Sequence, residues 1–402
     1  MLIKNLEKYL KGSGLDVSEV PEYSLLIPHF YQVPSNLYRP SQFFSSGSLD
    51  FVYSKDVATT KFYKILLKEW FDLIRKGGYL VLCTQPKDLL SCEELSPLIK
   101  DLFGNTAVIL SQGKEGSVEF LVIKKLSRSK RLLGNINSWT FGIITGGSRP
   151  ENVASFVESV RRQKVPNYEV IISGKWKESF GKDTRVVNQT RAANKGHITK
   201  MKNVLCKEAK YENIILVHDR VVLKDTWFEG MKLYGNSFEL LACPQLDYQG
   251  NRAGDWLTLG GPIDTPYNAG ALEYDDWDEN VYVSGTITVL KRSVWKEKPW
   301  DEKVFWNKGE DIKLTFDLRD KGYIARFNPY SEAIVTNWRH GSFPLHERNL
   351  YKLGRKKKML FRRFLWFFLR VTNNNSYVVA AREFVFKKFV ERSALRRFIV
   401  TH

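Results

Sequence analysis

The pair Glu310-Asp311 is the first of two polar clusters whose residue types could carry out chemistry. It stands directly before a predicted helix at 312–321, and the positive end of a helix dipole favours carboxylates at that position. A carboxylate placed in this way can remove a proton from a reacting hydroxyl as a general base. An acidic first turn is also common in helices without a site, so both interpretations stay open on these two residues alone.

The second cluster, His218-Asp219-Arg220, interrupts the apolar segment NIILVHDRVVL, which is predicted to be a buried strand. Asp219 offers the hard oxygen ligand that Mg2+ and Mn2+ prefer. Arg220 would repel a cation but could bind a phosphate through two parallel hydrogen bonds. These residue types could therefore hold a divalent metal at Asp219 or an anionic group at Arg220. A buried Asp-Arg pair that only ends the strand is the third interpretation.

The segment that holds both clusters is predicted to fold as alternating strands and helices. Predicted strands are WTFGIIT, YEVIIS, TRVV and the strand broken at His218, and predicted helices span 151–163 and 200–209, the first opened by Pro150. This alternation predicts a largely parallel sheet with ligand sites at the carboxyl ends of its strands.

The N-terminal part is predicted to form a second, smaller α/β layer of Rossmann-like type. A short helix at 3–10 precedes the strand LDFVYS, a helix at 60–76 that ends at Gly77-Gly78, and the strand YLVLCT. A helix at 93–103 and the strands TAVILS and VEFLVIKK complete it.

Within that layer, SLDFVYSKDVA and LLKEWFDLIRKGGYLVLCTQP resemble the second half of a class I S-adenosylmethionine methyltransferase, over about residues 47 to 126. The glycine-rich cofactor loop and the acidic residue of that family have no counterpart here. We therefore expect a degenerate structural domain at 1–130 that binds no S-adenosylmethionine.

Charge and composition separate the C-terminal part from the rest. The 402 residues carry a net charge of +18, and fifteen Lys or Arg against two acids follow position 347. Apolar residues among these basic ones predict either interfacial helices on an anionic membrane or a packed helical pair. No apolar run is long enough to span a bilayer, and the four scattered cysteines are expected to be reduced core residues. We expect a cytoplasmic protein, peripheral at the membrane.

From 138 to 345 the chain resembles the GT-A fold of family 2 glycosyltransferases. The resemblance is carried, in order, by FGIITGGSRPENVASFVESVRRQ, YEVIISGK, NKGHITKMKNVL, IILVHDRVVL, YVSGTITVLKRSVW, FWNKGEDIKLTFDLRDKGY and FNPYSEAIVTNWRH. The expected fold class is thus α/β, a GT-A domain at 138–345 joined through a linker at 131–137 to the N-terminal domain, with a basic helical tail at 346–402.

The resemblance implies a role for each part of the site. Asp311 is the expected base and Glu310 orients the sugar or the acceptor. Expected donor-binding residues are Thr145, Gly146, Gly147, Arg149, Ser173, Lys175, Lys200, Lys202, Asp219 and Arg220. Expected acceptor-binding residues are Gly285, Trp306 and Asp255, the last from an aromatic segment that could equally be packed on itself. Expected metal ligands are Asp219, His218 and His340.

These expectations describe an inverting transferase that uses a nucleotide-sugar donor, with either Mn2+ or Mg2+ or no metal, and a glycan or lipid-linked glycan as acceptor. An inactive GT-A scaffold or binding protein is the alternative, and a methyltransferase is disfavoured. The charge alone does not predict a nucleic-acid partner, since no nucleic-acid-binding module is present. An oligomer stays open.

Overall fold

The computed structural model describes residues 4–21, 28–127, 134–259, 270–306 and 308–336. Its helices are α1 Tyr63–Leu73, α2 Cys92–Phe103, α3 Pro150–Arg162, α4 Thr190–Asn194, α5 Ile198–Glu208, α6 Trp227–Tyr234, α7 Arg292–Glu297 and α8 Glu310–Arg319. Its strands are β1 Gly14–Asp16, β2 Leu49–Ser54, β3 Ile74–Thr84, β4 Ala107–Glu115, β5 Val118–Lys125, β6 Ser138–Thr145, β7 Asn167–Gly174, β8 Thr184–Asn188, β9 Asn213–His218, β10 Val221–Leu223, β11 Leu240–Ala242, β12 Gln245–Leu246, β13 Trp256–Thr258, β14 Gly270–Ala271, β15 Val281–Val283, β16 Ile287–Lys291, β17 Ala325–Phe327 and β18 Ala333–Val335.

The N-terminal sheet has five strands in the order β1-β2-β3-β5-β4. The first three strands are parallel, and β5 and β4 return antiparallel. Helices α1 and α2 pack their apolar faces on this sheet, and the indole of Trp70 donates a hydrogen bond to the Tyr38 hydroxyl at 2.8 Å inside the core. The capping box of Ser91 and Glu94 fixes the start of α2. The predicted helix at 3–10 is a 3-10 helix, Lys4–Tyr9.

The predicted helix at 60–76 is wrong at its C-terminal end. Helix α1 ends at Leu73, and the pair Gly77-Gly78 lies inside strand β3 at a shift of register against β2. Gly77 has a φ of +87°, and a Cβ on Gly78 would lie 2.4 Å from the carbonyl oxygen of Asp50. The two glycines therefore form a β-bulge, because only residues without a side chain fit this close approach.

The larger sheet has seven strands in the order β17-β11-β16-β9-β6-β7-β8. Strands β9, β6, β7 and β8 are parallel, whereas β16 is antiparallel to both of its neighbours. One face carries a core centred on Trp139, Phe141 and Trp227, and the ring of Trp227 lies edge to face with each of the other two. The α/β fold class and the parallel strands predicted from the alternating pattern are confirmed.

The polar break predicted within 213–223 is the point where the chain changes sheets. Strand β9 ends at His218 in the seven-stranded sheet, and β10 begins at Val221 in a three-stranded sheet with β18 and β12. The amide of Arg220 donates to the carbonyl of His218 at 2.7 Å, which closes a tight turn. The turn presents Asp219 and Arg220 at the end of a central strand.

Residues 1–257 and 273–342 form one compact unit, so the described parts of both large sheets belong to it. Asn36 exchanges two hydrogen bonds with the backbone of Phe327 on the edge strand β17, and Glu69 pairs with Arg326 at 2.6 Å. The N-terminal layer is thus packed directly against the central sheet.

The second unit comprises residues 258–272 and 343–402, of which only 258–259 and 270–272 are described. The predicted tail at 346–402 therefore lies outside the described residues, as does part of the linker at 131–137. None of the helices in the described ranges has the length and apolar composition of a membrane span.

Candidate functional site

Four parallel strands of the large sheet end at one edge. Their last residues are Thr145, Gly174, Asn188 and His218. Carboxyl ends of parallel strands are where α/β proteins bind ligands, since the backbone there turns away and leaves a crevice. The turn after β6 and the turn after β9 are neighbours in this arrangement, because β6 pairs with β9.

Asp219 connects the turn after β6 and the turn after β9 through hydrogen bonds. Its carboxylate accepts a hydrogen bond from the Thr145 hydroxyl at 2.8 Å and pairs with the Arg149 guanidinium at 3.3 Å. The side chain of Asn152 donates to the backbone carbonyl of Asp219 at 2.9 Å. The sequence predicted Thr145, Arg149 and Asp219 as donor-binding residues, and the structure brings the three into contact.

The glycine turn after β6 combines a backbone constraint with open space. Gly147 has a φ of +79°, and a Cβ there would lie 2.5 Å from the carbonyl oxygen of Lys175. A Cβ on Gly146 would meet no atom within 4 Å. The side chain of Lys175 is exposed beside this turn. A flat group could therefore approach the backbone at Gly146, with a positive charge close by.

His218 and Arg220 are half-buried, as is Asp219. The guanidinium of Arg220 donates to the Thr286 hydroxyl at 2.9 Å. Burial, together with the nearby charges of Lys202 and Arg220, lowers the pKa of His218 well below its usual value, so the imidazole is neutral. Its Nε2 atom is buried and has no hydrogen-bond partner among the residues that the structure describes.

The described residues form no cluster of metal ligands at Asp219. No group of three or more His, Cys, Asp or Glu in the described ranges is arranged to hold a metal ion. Both carboxylate oxygens of Asp219 already accept hydrogen bonds, one of them from Arg149, and a second cationic residue follows in the chain. His340, the third ligand predicted from the sequence, lies outside the described residues.

The acidic pair opens helix α8, as the sequence predicts. Gly309 precedes the helix in the left-handed region, with a φ of +70°. Glu310 is 8% exposed and accepts from the ammonium group of Lys202 at 3.3 Å, while Lys202 itself is only 1% exposed. The first carboxylate of the pair is therefore a buried partner of a buried cation.

Asp311 is half-buried, and its orientation is fixed by backbone donors. Its Oδ2 accepts from the amide of Gly285 at 2.9 Å, and its Oδ1 accepts from the amide of Ile312 at 2.9 Å. Burial and the adjacent charge of Glu310 raise the pKa of Asp311 to about 6, against the lowering effect of the Gly285 amide and Lys202. A carboxyl group with this pKa can exchange a proton near neutral pH.

Gly285 and Thr286 connect the two polar clusters. Gly285 binds Asp311, whereas Thr286 accepts from Arg220 with its hydroxyl and from the His218 amide with its carbonyl. A Cβ on Gly285 would lie 2.7 Å from Glu310 Oε1. The sequence predicted Gly285 as a point of substrate approach; in the structure the space above this glycine is filled by the acid pair.

Three predicted site residues do not fit a direct ligand contact. Lys202 is buried against Glu310, and Ser173 is fully buried with its hydroxyl donating to the Met201 carbonyl. Asp255 is also fully buried and accepts from Arg252, Tyr274 and two backbone amides. The polar atoms of these three residues are satisfied inside the protein, so the structure does not place them where they could contact a donor or an acceptor.

Two other predicted residues are accessible. Lys200 is exposed in the first turn of α5, and Trp306 is 55% exposed. The amide of Trp306 donates to the carbonyl of Gly196 at 3.0 Å, which places the indole beside the turn before α5. Neighbouring Phe305 stacks on His197 with ring centroids 4.4 Å apart. An exposed aromatic face of this kind suits the apolar face of a sugar ring.

The structure also places Asn152 and Thr286 in the site, and neither was predicted from the sequence as a site residue. Asn152 stands in the first turn of α3 and Thr286 directly follows Gly285. Thr286 is adjacent in the chain to Gly285, and Asn152 lies three residues after Arg149, so nearness to predicted site residues was the available signal.

The comparisons with known proteins found structural likeness only. No protein-family profile and no curated protein sequence matches the chain. A structure of GalNAc-T7 with UDP, GalNAc and Mn2+ aligns at 13% identity with a TM-score of 0.39, over 56% of this chain and 48% of that one. A structure of S. aureus TarS 1-349 in complex with UDP aligns at 14% identity with a TM-score of 0.36, over 49% of this chain and 60% of that one. Both alignments span less than two thirds of the solved chains.

Proposed function

We propose that this protein is an inverting glycosyltransferase that moves a sugar from a nucleoside-diphosphate donor to a hydroxyl of a glycan or lipid-linked glycan. The observation that carries the proposal is the link through Gly285 and Thr286, which joins a carboxyl group of raised pKa to the polar turn at the end of β9. A proton acceptor and a cationic strand end thus share one site. The resemblance of 138–345 to family 2 glycosyltransferases supports the same reading.

In the proposed reaction Asp311 takes the proton of the acceptor hydroxyl as its oxygen attacks the anomeric carbon. The bond from that carbon to the diphosphate oxygen breaks, and the nucleoside diphosphate leaves with the electron pair from the opposite face, so the configuration inverts. Arg149, Arg220 and Lys175 supply positive charge at the strand ends, where they would offset the charge of the leaving phosphate.

The rest of the proposal comes from the sequence alone. The basic segment 346–402 is proposed to bind an anionic membrane surface, which would suit a lipid-linked acceptor. The N-terminal layer at 1–130 is proposed to be structural and to bind no S-adenosylmethionine.

The proposed function is tested by a panel of UDP-, GDP- and other nucleotide sugars against the purified chain. A donor that binds raises the melting temperature, since ligand binding to the native state stabilises it. Release of the nucleoside diphosphate in the presence of acceptor measures the reaction. Binding without any release would favour the inactive scaffold. If no donor binds and no nucleoside diphosphate is released, the proposal is contradicted.

The pH dependence of transfer is predicted from Asp311. A general base must be ionised, and the pKa of Asp311 is raised to about 6. Activity is therefore expected to fall as the pH drops through about 6 and to level off above it. The acid limb of kcat against pH measures this midpoint. A limb near pH 4, where an unperturbed carboxyl titrates, would contradict the assignment.

Donor binding is predicted to survive removal of divalent metal. The described residues place arginines, and no set of metal ligands, beside Asp219. The melting-temperature shift caused by the donor, and the transfer rate, should change less than about twofold when EDTA is added. Arg220→Gln should weaken donor binding under both conditions. Abolished turnover in EDTA that Mn2+ or Mg2+ restores would show that a metal is required.

A further inference from the structure

Lys202 is a buried cation that the proposed reaction does not use. It lies on α5 with 1% of its side chain exposed, and its ammonium group lies 5.5 Å from the centroid of the Trp300 ring. Burying a lysine is costly unless its charge is paired and its donors are satisfied. A buried lysine is therefore expected where its charge stabilises a neighbouring group.

The neighbours of Lys202 are the two elements that hold the proposed base. Its ammonium group donates to Glu310 Oε1 at 3.3 Å and to the carbonyl of Gly285 at 3.2 Å. The amide of the same glycine donates to Asp311 at 2.9 Å. One cation thus fixes both the residue before Asp311 and the backbone that orients its carboxylate.

We infer that Lys202 is a positioning residue of the acid pair: it fixes Glu310 and Gly285 so that Asp311 is correctly oriented, and its charge favours the ionised carboxylate. The inference rests on the proposed role of Asp311 as the base. Lys202 does not contact the donor, since its ammonium group is enclosed by Glu310, Gly285 and Trp300.

Glu310 precedes Asp311 on helix α8. The other charged and titratable groups around Asp311 come from three further elements. They are Lys202 on α5, Tyr282 on β15, and His218, which faces Lys202 from β9. Burial and Asp311 raise the pKa of Tyr282, and burial lowers that of His218, so both stay neutral near pH 7. Lys202 is therefore the cation that opposes the charge of Glu310 at Asp311.

The test measures the titration of Asp311 without using activity. Melting temperatures are measured between pH 4 and 9 for the wild type and for Asp311→Asn. The same pair is then measured with Lys202→Gln added to each, so that the contribution of Asp311 is obtained with and without the lysine. Because the folded-state pKa of Asp311 is raised, its protonation stabilises the fold at low pH, and this contribution is lost as the pH rises through about 6. In Lys202→Gln the loss should occur at a pH about one unit higher or more, since an opposite charge at this range lowers a carboxyl pKa by 1–3 units.

Lys207→Gln, exposed on the same helix, is the matched control and should leave the midpoint in place. An unchanged midpoint in Lys202→Gln would overturn the inference and leave Lys202 a purely structural residue. If Lys202→Gln does not fold, Lys202→Met, which also removes the charge, takes its place, and an unchanged midpoint would overturn the inference in the same way. If no transfer is found at all, the proposed function fails, whereas the shift in midpoint still decides the role of Lys202.

Discussion

Asp311→Asn is expected to reduce the rate of sugar transfer by about 10²–10⁴-fold or more, the contribution typical of a general base. Asparagine keeps the size of the side chain, and its one oxygen can still accept from one of the two amides, Gly285 or Ile312, that the Asp311 carboxylate accepts from. It cannot take up a proton at neutral pH. Donor binding should stay close to that of the wild type, because the lost group acts on the acceptor hydroxyl. Steady-state transfer and donor-induced melting shifts measure the two effects separately.

Asp317→Asn is the matched control for this substitution. Asp317 lies on the same helix and pairs near the surface with Lys313 at 2.9 Å, so its loss should leave transfer nearly unchanged. Asp311→Asn itself should stay close to the wild type in stability at neutral pH, because the loss of one backbone hydrogen bond and the removal of an unfavourable charge act in opposite directions. The raised pKa of Asp311 means that its charge is unfavourable in the folded state above pH 6, and the amide removes that charge. An Asp311→Asn protein with wild-type transfer would remove Asp311 from the mechanism.

The elements around the site could be predicted because their signals are local. Apolar runs located β6, β7 and β9 to within a few residues, Pro150 marked the start of α3, and the acidic pair marked the start of α8. Parallel pairing then follows from the alternation of strands and helices, which places Thr145 and His218 at one edge.

The chemistry of individual side chains could not be predicted in the same way, since burial depends on distant parts of the chain. Lys202 and Glu310 are 108 residues apart, and nothing near Lys202 in the sequence indicates that its charge is enclosed. Asp255 lies in an aromatic segment that suits a sugar. Its carboxylate, however, accepts hydrogen bonds from Arg252 and Tyr274 inside the protein. Gly77-Gly78 fits a helix end as well as a bulge, and only the neighbouring backbone of Asp50 decides between them.

The contact between the N-terminal layer and the central sheet also has no local signal. Glu69 on α1 is 11% exposed and lies between two buried guanidinium groups, at 2.6 Å from Arg326 and 3.9 Å from Arg39. Arg326 belongs to the edge strand β17, and Arg39 also donates to the carbonyl of Ser237. The N-terminal layer therefore supplies the counter-charge for a residue of the central sheet, and we expect the two parts to unfold together.

Glu69→Ala is accordingly expected to lower the free energy of unfolding by about 3–5 kcal/mol, because it leaves two buried arginines without their carboxylate. Chemical denaturation of the full chain measures the loss, and both parts should unfold in one transition. Glu158→Ala removes an exposed carboxylate from a surface pair with Arg161 and should cost less than about 1 kcal/mol. A loss for Glu69→Ala as small as that of Glu158→Ala, or two separate transitions in the wild type, would mean that the N-terminal layer folds independently of the sheet that carries the site.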